Sequence, residues 1–138
     1  MKKIFTAMVA VLIISASACK KDETTVDGSA STSIVGKWNL SELGTDANKN
    51  NVLDAGETTS VTGAGVSGYT DLKSDKTFSS SLTIGTVVFT ASGTYTYANN
   101  SITTVSSSET KSRTVNTLTT NKLVVKDAED AQWEVYTK

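Results

Sequence analysis

From Ile34 onward, apolar and polar residues alternate with a period of two, the signature of half-buried β-strands. In the first such segment Ile34, Gly36, Trp38 and Leu40 share one face, with Lys37, Asn39 and Ser41 on the other. Leu72 ends a short strand before the turn residues Ser74, Asp75 and Lys76, after which Phe78, Ser80, Leu82 and Ile84 continue on a common face. The longest alternation sets Val87, Phe89, Ala91, Gly93, Tyr95 and Tyr97 against Val88, Thr90, Ser92, Thr94 and Thr96. Gly93 inside that run predicts a bend or bulge. Asn99 and Asn100 predict a tight turn, because asparagine tolerates positive φ. Further strands are predicted over 102–105, 114–118, 123–125 and 133–137, with Asn121 turning the last-but-one hairpin. No segment after Ile34 has a helical period of useful length. About seven to nine short strands joined by tight turns predict an all-β fold. The expected form is a small antiparallel up-and-down β-barrel, with a β-sandwich as the alternative.

The N-terminus follows a different pattern. Lys2 and Lys3 precede an apolar stretch over 4–14, then the small residues Ser15, Ala16, Ser17 and Ala18, then Cys19. The stretch is shorter than the ~20 residues a membrane-spanning helix needs, and with its charged leader it reads as a secretory signal. It resembles a bacterial lipoprotein signal, although Ala16 stands where that family usually has a larger aliphatic residue. The resemblance implies cleavage before Cys19 and a covalent lipid on that cysteine, including a palmitate-type acyl chain. More than one acyl chain suffices for stable anchoring. Lys20-Lys21-Asp22-Glu23 is similar to the signal that sends lipoproteins of Bacteroidetes to the cell surface. The expected organisation is therefore a signal peptide over 1–18, a flexible, small and polar tether over 19–33, and a β domain over 34–138. The expected location is the outer membrane, lipid-anchored; the similarity of residues 20–23 points to the cell surface, and a solvated charged tether is the alternative reading of those residues.

Composition narrows the chemistry. The 138 residues contain no histidine and no proline, and Cys19 is the single cysteine. There is thus no histidine-based triad or imidazole metal site, no internal disulfide and no multi-thiolate zinc site. A formal net charge of −1 leaves no basic footprint for nucleic acid. No phosphate-cradling glycine loop, nucleophile elbow or paired-carboxylate spacing appears, so no enzyme is expected.

One segment carries a ligand pattern. Residues 46–57, Asp-Ala-Asn-Lys-Asn-Asn-Val-Leu-Asp-Ala-Gly-Glu, have oxygen side chains at positions 1, 3, 5, 9 and 12 of a twelve-residue loop. That is the EF-hand calcium spacing. Asp46, Asn48, Asn50, Asp54 and Glu57 would supply side-chain oxygens, and Val52 its backbone carbonyl. Position 6 is Asn51 instead of glycine, and the flanks read as strands, so the expectation is an EF-hand-like loop inserted in a β domain. Three carboxylates with Lys49 nearby predict weak calcium binding, roughly 10⁻⁴–10⁻³ M. Asp127, Glu129 and Asp130 read as a solvated acidic turn.

Several segments resemble the lipocalin-like domains of Bacteroidetes lipoproteins. Ile34-Val35-Gly36-Lys37-Trp38-Asn39-Leu40 is similar to their opening Gly-x-Trp strand. Leu72-Lys73-Ser74-Asp75-Lys76-Thr77-Phe78 and Gly93-Thr94-Tyr95-Thr96-Tyr97 resemble middle strands. Leu118, Leu123-Val124-Val125 and Trp133-Glu134-Val135-Tyr136 resemble the closing ones. The resemblance implies that Trp38 plugs the closed end of a barrel. It also implies a non-enzymatic role, binding a small apolar ligand or a macromolecular surface partner. Trp38, Tyr95 and Tyr97 are candidate cavity residues by their aromatic surface, with core filling as the alternative reading. The alternative is a structural or interaction module whose barrel is filled solid by its own side chains.

Overall fold

A computed structural model describes residues 32–127 and 129–138. Cys19, the signal and most of the tether lie outside the described residues. Nine strands occur among the described residues: β1 (Gly36–Thr45), β2 (Thr58–Ser60), β3 (Val66–Leu72), β4 (Thr77–Ile84), β5 (Val87–Ala98), β6 (Ser101–Ser106), β7 (Thr110–Leu118), β8 (Lys122–Asp127) and β9 (Gln132–Thr137). From β3 to β9 each strand pairs antiparallel with the next. β1 pairs with β3 through residues 36–39 and with β9 through residues 39–45, which closes the sheet. β2 pairs with β1 at Glu42, Leu43 and Gly44, on the edge that β3 occupies further down. The two are one wall position interrupted by residues 61–65, so the barrel has eight strand positions. The sandwich alternative fails because β1 joins β9, leaving no pair of separate sheets.

The turns follow from their residues. Asn99 and Asn100 both take positive φ, 50° and 56°, as a two-residue hairpin turn matching the strand twist requires. Gly85 does the same at the β4–β5 turn with φ 61°. Gly93 marks a change in pairing. A Cβ there would lie 2.0 Å from the carbonyl oxygen of Val105, and Gly93–Ser106 is the last β5–β6 pair. Beyond it, residues 87–92 of β5 pair with β4 alone. The β4–β5 hairpin therefore projects past its neighbours and exposes Ile84, Val87, Val88 and Phe89.

The two ends of the barrel differ. At the end where the chain enters, Ile34, Trp38, Leu72, Phe78, Tyr95, Ile102, Val115, Leu123, Val125 and Tyr136 form one packed cluster. Trp38 is fully buried, and its indole Nε1 donates to the carbonyl of Ile34 at 2.7 Å. A buried tryptophan must satisfy that N–H or lose stability. Only about 30 Å³ of free space remains between this cluster and the polar residues above it. A second cluster lies on the outside of the wall, where Val124, Trp133 and Val135 pack with Leu53. The 46–57 loop folds down to cover it.

A half-hollow barrel and its outer loop

Above the packed end, a cavity of about 520 Å³ opens at the far end of the barrel. Its apolar lining includes Leu40, Leu43, Leu82, Ile84, Phe89 and Ala91. Leu40 and Leu43 both reach it because the β1–β9 register shifts between Leu40 and Glu42, and a bulge turns successive side chains out of strict alternation. The floor is polar. Arg113 Nε lies 3.2 Å from Glu134 Oε2, and Nη2 donates to Oε1 at 3.5 Å. The Tyr136 hydroxyl donates to Glu134 Oε2 at 2.8 Å. Burial, then the neighbouring Glu134 charge, push the Tyr136 phenol well above its usual range. Next to this pair Lys111 Nζ lies 2.7 Å from Asp127 Oδ2. Burial alone would raise the Asp127 pKa. The hydrogen bond from Lys111 and the backbone N–H groups of Glu129 and Asp130 outweigh it and hold the carboxyl below the ordinary range. The expectation of a solvated acidic turn is thus corrected for Asp127, which is buried and caps its own turn, while Glu129 and Asp130 are exposed.

Of the two readings of Trp38, Tyr95 and Tyr97, core filling holds and cavity lining does not. Trp38 and Tyr95 are fully packed at the closed end, and Tyr97 packs against the same cluster. The Tyr95 hydroxyl is used on the Lys73 carbonyl at 2.8 Å. None of the three lines the cavity. Arg113 and Glu134 do line it, although no motif marks them. Their signal was present, since Lys111, Arg113 and Val115 share one face of β7, and Glu134 and Tyr136 one face of β9. A charged residue in phase with core positions is a buried charge.

The 46–57 loop is closed by its own hydrogen bonds. Asn51 takes φ 62°, the left-handed turn that position 6 demands. Asp46 accepts the N–H groups of Asn50 and Asn51 at 3.2 and 3.0 Å. Asn48 Oδ1 accepts from Asn50 N at 3.0 Å, and Asn50 Oδ1 from Val52 N at 2.7 Å. The side-chain amides of Asn48 and Asn50 both reach Asp54 Oδ2 at 2.8 Å. Glu57 folds back onto Ala47 N and Asp54 N. Gly44 permits this closure, because a Cβ there would strike the Glu57 carbonyl at 1.8 Å. One of the loop's three carboxylates is already matched by a cation, however. Lys126 Nζ binds Asp46 Oδ2 and, at 2.6 Å, Asn51 Oδ1. That hydrogen bond, foremost, holds the Asp46 pKa below its usual value against the opposing effect of burial. Among the described residues no three acidic side chains are gathered as a preformed metal cluster. A divalent ion here would have to replace N–H donors and share Asp46 with an ammonium.

The model of a lipocalin-like domain family matches residues 34–125. The chain belongs to the lipocalin-like domain family. Two solved structures resemble this lipocalin-like domain. A lipocalin-like protein from Bacteroides uniformis ATCC 8492 is 15% identical, with a TM-score of 0.54 over 75% of this chain and 96% of its own. An uncharacterized protein from Bacteroides eggerthii DSM 20697 is 14% identical, with a TM-score of 0.53 over 75% of this chain and 98% of its own. At such identities the likeness is one of fold. No curated protein matches the chain.

Proposed function

We propose that this lipocalin-like domain is a non-enzymatic carrier of a small apolar molecule, held at the outer membrane by a lipid on Cys19 and facing the cell surface. The observation that carries the reading is the cavity of about 520 Å³, in which Leu40, Leu43, Leu82 and Phe89 share the walls with serine and threonine hydroxyls above a charged floor, a size within the range of small-molecule sites. Fold analogy alone would be a weak warrant. The described chain enters the barrel at the packed end, through residues 32–35, so a tether from Cys19 would leave the mouth directed away from the membrane. The reading of a barrel filled solid accounts for only one half of the interior.

The 46–57 loop would hold calcium through Asp46, Asn48, Asn50, Asp54, Glu57 and the Val52 carbonyl. Bound there, the ion would add a second clamp between the loop and the barrel wall. Native mass spectrometry of the protein purified from its own host tests the carrier reading. A co-purifying small molecule is expected, and a clean apo mass from several growth conditions would overturn it. Incorporation of labelled palmitate, lost in Cys19→Ser, tests the anchor.

A further inference from the structure

Resting on the carrier reading above, we propose that the lumen selects an uncharged amphipathic molecule whose head presents an oxygen acceptor, a carbonyl or hydroxyl, to Arg113. Three observations lead there. The first is the under-used guanidinium of Arg113 at the floor. Glu134 is committed, with Oε2 accepting the Tyr136 hydroxyl at 2.8 Å and facing Arg113 Nε, and Oε1 facing Nη2. Arg113 carries five N–H donors. Its one hydrogen bond, at 3.5 Å, is at the outer limit of length, and its buried Nε has no well-aligned acceptor. Among the described residues the guanidinium makes no other hydrogen bond. The guanidinium of Arg113 thus has donors to spare at the floor.

The second observation is charge. Arg113 is balanced by Glu134, and Lys111 by Asp127, while Asp130 lies 3.9 Å from Lys111. Glu109 stands at the rim. An anionic head would gain from Arg113 and lose to Glu134 at a comparable distance, and a cationic head would meet the reverse. Neither sign of charge gains much, whereas a neutral acceptor gains a hydrogen bond from a charged donor without that penalty. The third observation is the apolar rim of Leu40, Leu43, Leu82 and Phe89, which would cover the ligand's hydrocarbon body.

The test uses the full chain carrying Cys19→Ser, which needs no detergent. The neutral dye Nile red reports occupancy of the lumen, and methyl decanoate, decanoate, decylammonium and decane compete with it. Methyl decanoate is expected to displace the dye at concentrations about tenfold lower than the two ions, and about tenfold lower than decane. In Arg113→Met its advantage over decane should disappear. Because that variant leaves Glu134 unpaired and can fail to fold, Arg113→Met with Glu134→Gln provides a charge-neutral second variant with the same expected loss. An ester no better than decane, or an ester advantage that survives both substitutions, overturns the role of Arg113. Decanoate or decylammonium equal to the ester overturns the neutral head while leaving a carrier. Failure of Nile red and all four competitors to bind overturns the carrier reading itself.

Discussion

The Lys126 ammonium of β8 is bonded to the Asp46 carboxylate, eighty positions earlier in the chain, on the outer wall of the barrel. The same ammonium reaches Asn51 and lies 5.5 Å from the centre of the Trp133 ring. One cation therefore pins both the start and the middle of the 46–57 loop to the strand beneath it. Lys126→Met is expected to lower the melting temperature by several degrees and to open the loop. Hydrogen exchange should lose protection at Asn50 and Asn51, whose N–H groups bond to Asp46, while the closed-end strands keep theirs. Unchanged protection in the loop would mean that the ion pair does not hold it.

Acid should destabilise the fold, and neutral titration should not. Asp46, Asp75 and Asp127 all titrate below the ordinary range when folded. For Asp75 the leading cause is the Thr77 hydroxyl. The unfolded chain therefore takes up protons first as the pH falls, so their stabilisation is complete above about pH 4 and drains away below it. With no histidine in the chain, the urea midpoint should stay flat between about pH 6 and 8. A clear slope across that interval would contradict this account.

The outer cluster should matter as much as the inner core. Trp133 is fully buried against Val124, Val135 and Leu53, although it faces away from the lumen. Trp133→Ala is expected to cost about 3–5 kcal/mol, comparable to Trp38→Ala. Leu53→Ala should cost about 1–2 kcal/mol. In a double-mutant cycle by urea denaturation, the Leu53 and Trp133 terms should couple, since the two are in contact.

The projecting hairpin offers a paired control. Phe89 lines the cavity, and Val88, the next residue, faces the other way. Both are more than half exposed, so Val88→Lys and Phe89→Lys should each change stability by no more than about 0.5 kcal/mol. Nile red binding should survive the first and fall severalfold with the second. Equal loss from both would point to the hairpin surface, not the lumen, as the dye site.

Calcium binding to the folded loop would raise the melting temperature by mass action on the native state. The shift should be visible at millimolar calcium and vanish in Asp46→Ala with Glu57→Ala. Identical melting curves in calcium and in excess chelator would exclude the site.

The alternation along the chain was enough to establish strands, turns and an antiparallel arrangement, because a period of two and the backbone preferences of asparagine and glycine are local properties. The inward faces of β1, β4 and β5 were legible for the same reason, each having one clearly apolar side. The 46–57 loop was legible as a unit, since its oxygen spacing and the left-handed Asn51 lie within twelve residues. Tertiary structure decided what alternation cannot. In β8 the consecutive residues Leu123, Val124 and Val125 are all buried, so hydrophobicity does not say which face looks inward. Only the loop packed on Trp133 makes the outer face a second core. Closure through β1 and β9, and the register shift beside Leu40, depend on pairing residues some ninety positions apart. Those contacts also decide that one half of the barrel is packed with aromatic and aliphatic side chains. The other half they leave hollow above Arg113 and Glu134, two charges whose burial depends on the whole wall that closes around them.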